Sequence, residues 1–352
     1  MKNDHLLEAI GFVEEQFLRE AESAPKHKVH PVRRIALVAA VIGLLVLTAM
    51  ASTGILKGLR NAGENGATME NLSSSTGNFV YHNGSVYHGT FGYIHEYDLE
   101  GNILKTYPLS NKQERPCYMF VSEEAILYTA GVASMELSVQ PKDGSDPYTV
   151  ELETGVSNAY ADGQVLYTIG EGAILYGIDL VTLEKTELLE DVASYYVDDT
   201  YIYAVQTRNG KAIYRSTKDE IRFEQLPLDF VPNKVVAHGD ELYICRWLEE
   251  TEQKQTGHRY RINLVRDGET TPLPVYSWLY QVVDGCVLYL EEGTNALKCY
   301  DMTTEETKLV TENVFAFSVF EDRYICIERY NEAPLIYDLL REHCHQITTE
   351  EE

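Results

Sequence analysis

From Asn78 onward, apolar and polar positions alternate in short runs that return with one period. HNGSVY at 82–87, EEAILY at 123–128, DGQVLY at 162–167, DDTYIY at 198–203, HGDELY at 238–243, DGCVLY at 284–289 and EDRYIC at 321–326 are copies of one motif. Their last positions lie 41, 39, 36, 40, 46 and 37 residues apart. Each copy opens with a short apolar strand and a polar or glycine turn, as in FVYHNG and YQVVDG, where Gly or Asn supplies the positive φ of a tight turn. A second strand follows, in which Val86, Leu127, Leu166, Ile202, Leu242, Leu288 and Ile325 precede the final tyrosine or cysteine. LYGIDL at 175, YRINL at 260, LKCYDM at 297 and LIYDLL at 335 read as third strands, and in several copies an Asp or Asn near the strand end starts the next turn. Polar runs such as KTELL at 185 and TKLV at 307 close the unit.

Four short strands in about 40 residues make one β-propeller blade. The pattern predicts an all-β fold, a seven-bladed β-propeller over residues 78–348, with six or eight blades as the alternatives. A β-sandwich also has many short strands, but it does not sustain one period through seven copies. The second and fifth copies carry extra residues, SVQPKDGSDPYTV from Ser138 and LEETEQKQTGHR from Leu248. Such insertions are expected on one face, the binding face.

Upstream the pattern changes. Ile35 to Leu56 is 22 residues without a charge, long enough for a single transmembrane helix. Lys26, Lys28, Arg33 and Arg34 precede it, whereas Lys57 and Arg60 follow it diluted by Glu64 and Glu70. The positive-inside rule therefore places the N-terminus in the cytoplasm and the propeller outside the cell membrane. The rival reading is a cleavable signal peptide ending at Ala49-Met50-Ala51, which the long polar lead and the apolar continuation to Leu56 disfavour. Within residues 1–34, the cytoplasmic segment, Leu6, Ile10, Val13 and Phe17 fall on one face of an amphipathic helix over 3–22. Its polar face is acidic, so its expected partner is a cytoplasmic protein rather than a lipid surface. Residues 57–77 have the composition of a flexible linker, and 349–352 form an acidic tail.

Charge sharpens the division. Residues 1–60 hold six acidic and eight basic side chains, which leaves 49 against 21 downstream, a net charge of −28. A surface of this sign repels nucleic acid and suits solubility, cations or basic partners. The six cysteines show no zinc-ligand spacing, and Cys245 and Cys326 sit in apolar runs as small hydrophobes. If Glu292-Gly293 centres a two-residue hairpin turn, Cys286 and Cys299 fall directly opposite each other and could bridge.

Chemistry is sparse. There is no nucleophile elbow, P-loop or dinucleotide fingerprint. His343-Cys344-His345 suits a solvated edge strand better than a metal site, and His82, His88 and His95 are expected on separate strands and exposed turns. Neither a metal nor a cofactor is expected. The tyrosines are expected as strand filler, with a ring of them at the propeller mouth as the alternative. The chain therefore reads as a membrane-anchored extracytoplasmic binding or sensing module for a cell-envelope ligand or protein, not an enzyme. The alternative is a secreted or anchored hydrolase with paired carboxylates in the central pocket.

The G/D-x-x-L-Y strand followed by I/L-Y-x-x-D, as in ADGQVLYTIGEGAILYGIDL, resembles receptor-type β-propeller modules of membrane-anchored Gram-positive proteins, relatives of low-density-lipoprotein-receptor propellers. The YWTD tetrapeptide of receptor propellers is missing from it. LLEAIGFVEEQFLREA with its following basic residues resembles the cytoplasmic head of clostridial anti-sigma or signalling regulators. That resemblance implies that Leu6, Ile10, Val13 and Phe17 grip a cytoplasmic partner.

Overall fold

The computed structural model describes residues 79–347, apart from 163, 164, 181, 207–211 and 284. The amphipathic helix with Leu6, Ile10, Val13 and Phe17, the Ile35–Leu56 stretch, the linker and the acidic tail lie outside the described residues. Within them no helix is long and apolar enough to cross a membrane.

The described residues form seven four-stranded antiparallel sheets, each built from four consecutive strands paired in chain order. Blade 1 takes Phe79–His82, Ser85–Thr90, Tyr93–Tyr97 and Ile103–Pro108. Blades 2 to 7 occupy 118–156, 160–189, 192–225, 232–272, 280–311 and 314–346. The first strand of each blade is innermost, and the first strands of blades 1 and 2, 4 and 5, 5 and 6, and 6 and 7 lie against one another. The fourth strands are the most exposed, as Glu269–Pro272 and His343–Gln346 show. Seven blades is the number of motif copies.

The repeat has a direct physical reading. Its seven final positions, Tyr87, Tyr128, Tyr167, Tyr203, Tyr243, Tyr289 and Cys326, all fall on second strands and are all buried, as are six of the seven aliphatic residues before them. A second strand is covered on both pleat faces by the neighbouring blades, so both sides of the alternation must be apolar. The tyrosines are thus filler between blades. The third-strand aspartates cap their turns. Asp98 Oδ1 accepts from the Glu100 and Asn102 amides at 3.0 and 2.8 Å, and Asp301 Oδ1 from the Thr303 and Thr304 amides at 2.8 and 3.0 Å. At Asn83 and Gly84 both residues have positive φ, the geometry of a tight hairpin turn.

Two tyrosines of inner strands reach back to the preceding blade. The Tyr280 hydroxyl donates to the Tyr243 carbonyl at 2.8 Å, and Tyr195 to the Tyr167 carbonyl at 2.8 Å. Each thus ties its blade to the backbone of the previous repeat tyrosine. The ring closes without strand exchange. At the seam of blades 7 and 1, Phe79, Val86 and Tyr97 pack with Phe320, Cys326, Ile336 and Ile347. Arg115 bonds Glu328 Oε1 at 2.5 Å, and His88 Nε2 lies 3.4 Å from the same oxygen. Gly101, at φ 85°, is required there, since a Cβ would stand 2.7 Å from the Gln346 carbonyl oxygen.

Three expectations are corrected. The loop between the second and third strands of blade 6 runs from Glu291 to Ala296, not through a two-residue turn, so Cys286 pairs with Asp301 and Leu288 with Cys299. The cysteines are diagonal, not opposite. His82, His88 and His95 do occupy separate strands, but they are buried rather than exposed. His88 stacks on Phe79 at 4.2 Å, and His95 Nδ1 lies 3.0 Å from Thr106 Oγ1. The two insertions do not share a face: that of blade 2 lies between its third and fourth strands, that of blade 5 between its second and third.

Candidate functional site

In each blade the strands alternate in direction, so the ring has two dissimilar faces. One, the turn face, gathers the tight turns after first and third strands. The other, the connector face, gathers the loops after second strands and the crossings from each fourth strand to the next blade. Of the thirteen exposed large apolar side chains among the described residues, nine lie on the connector face: Phe91, Tyr93, Val132, Met135, Val231, Trp247, Trp278, Phe315 and Tyr330. The others, Leu104, Ile221, Leu309 and Leu340, are on outer strands or the turn face. Apolar side chains left in water on one face mark an interaction surface more than scattered ones do.

Both tryptophans of the chain belong to this face, at blades 5 and 6. Trp247 ends the second strand of blade 5 and meets Tyr260 edge-on at 4.9 Å; it is 44% exposed. Trp278, 46% exposed, sits on the crossing to blade 6. Ser277 fixes that crossing: its hydroxyl donates to the Leu290 carbonyl at 2.6 Å, and its carbonyl accepts from Cys245 Sγ at 3.5 Å. The crossing therefore lies against the strand that carries Trp247. Next to it His258 stacks on Tyr276 at 4.5 Å, and Arg261 lies over the same ring at 5.7 Å.

The blade 5 insertion frames this patch. It folds as a short helix, Glu250–Thr256, in which Glu249 and Glu252 form a reciprocal capping box and Gly257, at φ 77°, ends the helix. Arg246 holds Glu252 through two bonds of 3.1 and 2.6 Å, and Arg259 holds Glu292 of blade 6. Lys254 pairs with Glu250 and Lys298 with Glu291. Within a domain of large negative charge, the ground around the two tryptophans is thus neutralised by local ion pairs. The carboxyls of Glu252, Glu291 and Glu292 are held below their ordinary range: side-chain bonds from Arg246 and Lys298 lead for the first two, and bonds from Arg259 outweigh burial for the third.

The turn face has a different character. A groove of about 590 Å³ between blades 5 and 6 is lined by polar groups, among them His238, Asp240, Arg266 and Asp267. Arg266 is taken by Glu241, whose other oxygen accepts from the Tyr243 hydroxyl at 2.6 Å. The inner strands around the axis hold one carboxylate among the described residues, Asp162, and Lys218 bonds it at 2.5 Å. His343 and His345 lie edge to face at 4.7 Å on the outermost strand of blade 7. Among the described residues no group of three or more His, Cys, Asp or Glu could hold a metal ion.

Sequence reading marked the blade 5 insertion but passed over the tryptophans. Strand parity carries the missing signal: Trp247 comes four residues after the repeat tyrosine Tyr243, and Trp278 comes just before the next first strand, which sends both to the same face.

No family model matches the chain, and no curated protein matches it. Solved structures do. The tricorn protease matches with a TM-score of 0.58 at 10% identity over 76% of this chain, which spans 33% of the protease chain. A Saccharomyces cerevisiae assembly of Dbp5 with Nup159 and Gle1 matches with a TM-score of 0.50 at 11% identity, over 78% of this chain and 89% of that one. At these identities the likeness is one of fold: the described residues are a seven-bladed β-propeller.

Proposed function

We propose that this protein is a membrane-anchored, extracytoplasmic binding module of the receptor-propeller type, whose connector face receives a protein or cell-envelope ligand at Trp247 and Trp278. The observation that carries this reading is the gathering of exposed aromatic side chains, both tryptophans included, on one face. Exposed Trp, Tyr and Arg anchors are the residues that dominate binding energy at interfaces. Binding rather than hydrolysis is supported by the inner strands, where Asp162, their one carboxylate among the described residues, is engaged by Lys218. In this reading the Ile35–Leu56 span anchors the ring, and Leu6, Ile10, Val13 and Phe17 hold a cytoplasmic partner such as a sigma factor.

The test compares two double variants. Trp247→Ala with Trp278→Ala should weaken capture of isolated cell-envelope fractions at least about tenfold while leaving the melting temperature in place, because each side chain is nearly half exposed. Leu104→Ala with Leu340→Ala, away from the connector face, should leave capture unchanged. Equal loss in both pairs would remove the connector face as the site. Protease shaving of intact cells checks the anchor: the ring should be degraded and the N-terminus spared, and a protected ring would reverse the orientation.

A further inference from the structure

We propose that Cys286 and Cys299 form a disulfide across the second and third strands of blade 6 when the propeller meets a small-molecule disulfide oxidant. Because Cys286 stands opposite Asp301 and Leu288 opposite Cys299, the two cysteines are diagonal neighbours two positions apart, on the same pleat face. Their thiols are already hydrogen-bonded to each other. Both are half-buried against the cluster of Val283, Leu288 and Leu297, where a disulfide stays apolar.

Diagonal positions are about 7–8 Å apart, beyond the roughly 7 Å that a disulfide spans without movement of the backbone. Cys286 is the first residue of its strand and follows Gly285, at φ 74°, so the backbone can make the small shift there. The remaining thiols are placed differently. Cys245 and Cys326 are fully buried between blades, Cys117 lies on the crossing between blades 1 and 2, and Cys344 is exposed on the outermost strand of blade 7.

The step is thiol–disulfide exchange. One cysteine thiolate attacks oxidised glutathione, forms a mixed disulfide and releases one glutathione thiolate. The second cysteine thiolate then attacks the protein sulfur of that mixed disulfide and expels the other. The two cysteines lose two protons and two electrons, and two glutathione thiols gain them. The bond to Cys286 and, after it, burial hold the Cys299 thiol above its ordinary range, so the exchange should quicken as pH rises.

The experiment uses the purified full-length chain. It is incubated with oxidised glutathione near pH 8, free thiols are blocked, and the peptides are mapped without reduction. The expected result is a Cys286–Cys299 crosslink lighter by two hydrogens, with a melting temperature roughly 5 °C higher that dithiothreitol reverses. Cys344→Ser should leave both readouts unchanged, whereas Cys299→Ser and Cys286→Ser should each abolish them. Two blocked thiols at 286 and 299, stable glutathione adducts, or a link from Cys299 to Cys344 would each overturn the proposal. Cys344 is the relevant competitor, since it is exposed and stands opposite Tyr337, which packs on the same apolar cluster as Cys299. The bridge lies within blade 6 and is independent of the binding function.

Discussion

Tyr280→Ala should destabilise the propeller by about 4 kcal/mol, read as a shift of the denaturant midpoint at constant slope. Tyr280 is fully buried between blades 5 and 6, and truncation would leave a large cavity at an interface too stiff to collapse. Its hydroxyl adds a second, separable part. It donates to the Tyr243 carbonyl at 2.8 Å and accepts from the Cys245 amide at 3.3 Å, so Tyr280→Phe keeps the ring but removes two hydrogen bonds to buried backbone groups. We expect that change to cost about 1–2 kcal/mol. Tyr195→Phe removes the equivalent tie between blades 3 and 4. The two hydroxyl deletions are in different interfaces and should add within roughly 0.5 kcal/mol. A Tyr280→Phe variant as unstable as Tyr280→Ala would show that the hydrogen bonds, not the packing, hold the interface.

The second large effect lies at the ring seam. Glu328→Ala should cost about 2–3 kcal/mol, less than for a wholly buried pair, because the Arg115 side chain is 36% exposed and its charge remains partly in water. The same site should give the fold a pH dependence. Burial pulls the His88 pKa below its ordinary 6.5, against the opposing pull of the Glu328 bond. The folded state therefore favours neutral His88, and the unfolded state binds the extra proton. That contribution is complete above about pH 6.5 and falls away as the pH drops below it. In His88→Phe, stability should respond less to pH between about 6.5 and 5 than in the parent protein. An unchanged pH profile would show that His88 is not the titrating group.

Much of this architecture was legible before any coordinates. The final tyrosine of each copy had to be buried because a central strand between two blades has no wet side, and third-strand aspartates such as Asp98 and Asp301 had to start turns because their side chains mimic a backbone turn. Register was less legible. The Glu291–Ala296 loop contains Asn295 at φ 55°, and Glu292-Gly293 alone gives no clue that four more residues join it. Burial of the histidines was hidden for another reason. His88 is polar in any alternation count, yet its ring stacks flat on Phe79 and packs as an aromatic. The binding face required knowing which end of each strand a residue occupies, which a repeat motif supplies only once its four strands are ordered. The expected N-terminal helix, span and linker lie outside the described residues.

Strand order in the ring also governs how the protein should be handled at an assay surface. Phe79 begins an innermost strand and Gln346 ends an outermost one, and both of these strand ends fall on the connector face. A sensor chip coupled close to either end of the ring would therefore draw Trp247 and Trp278 toward the matrix and display the turns to the analyte. Coupling through an engineered cysteine at an exposed turn, such as that after Asp338, would invert this presentation and leave the aromatic face open to solution.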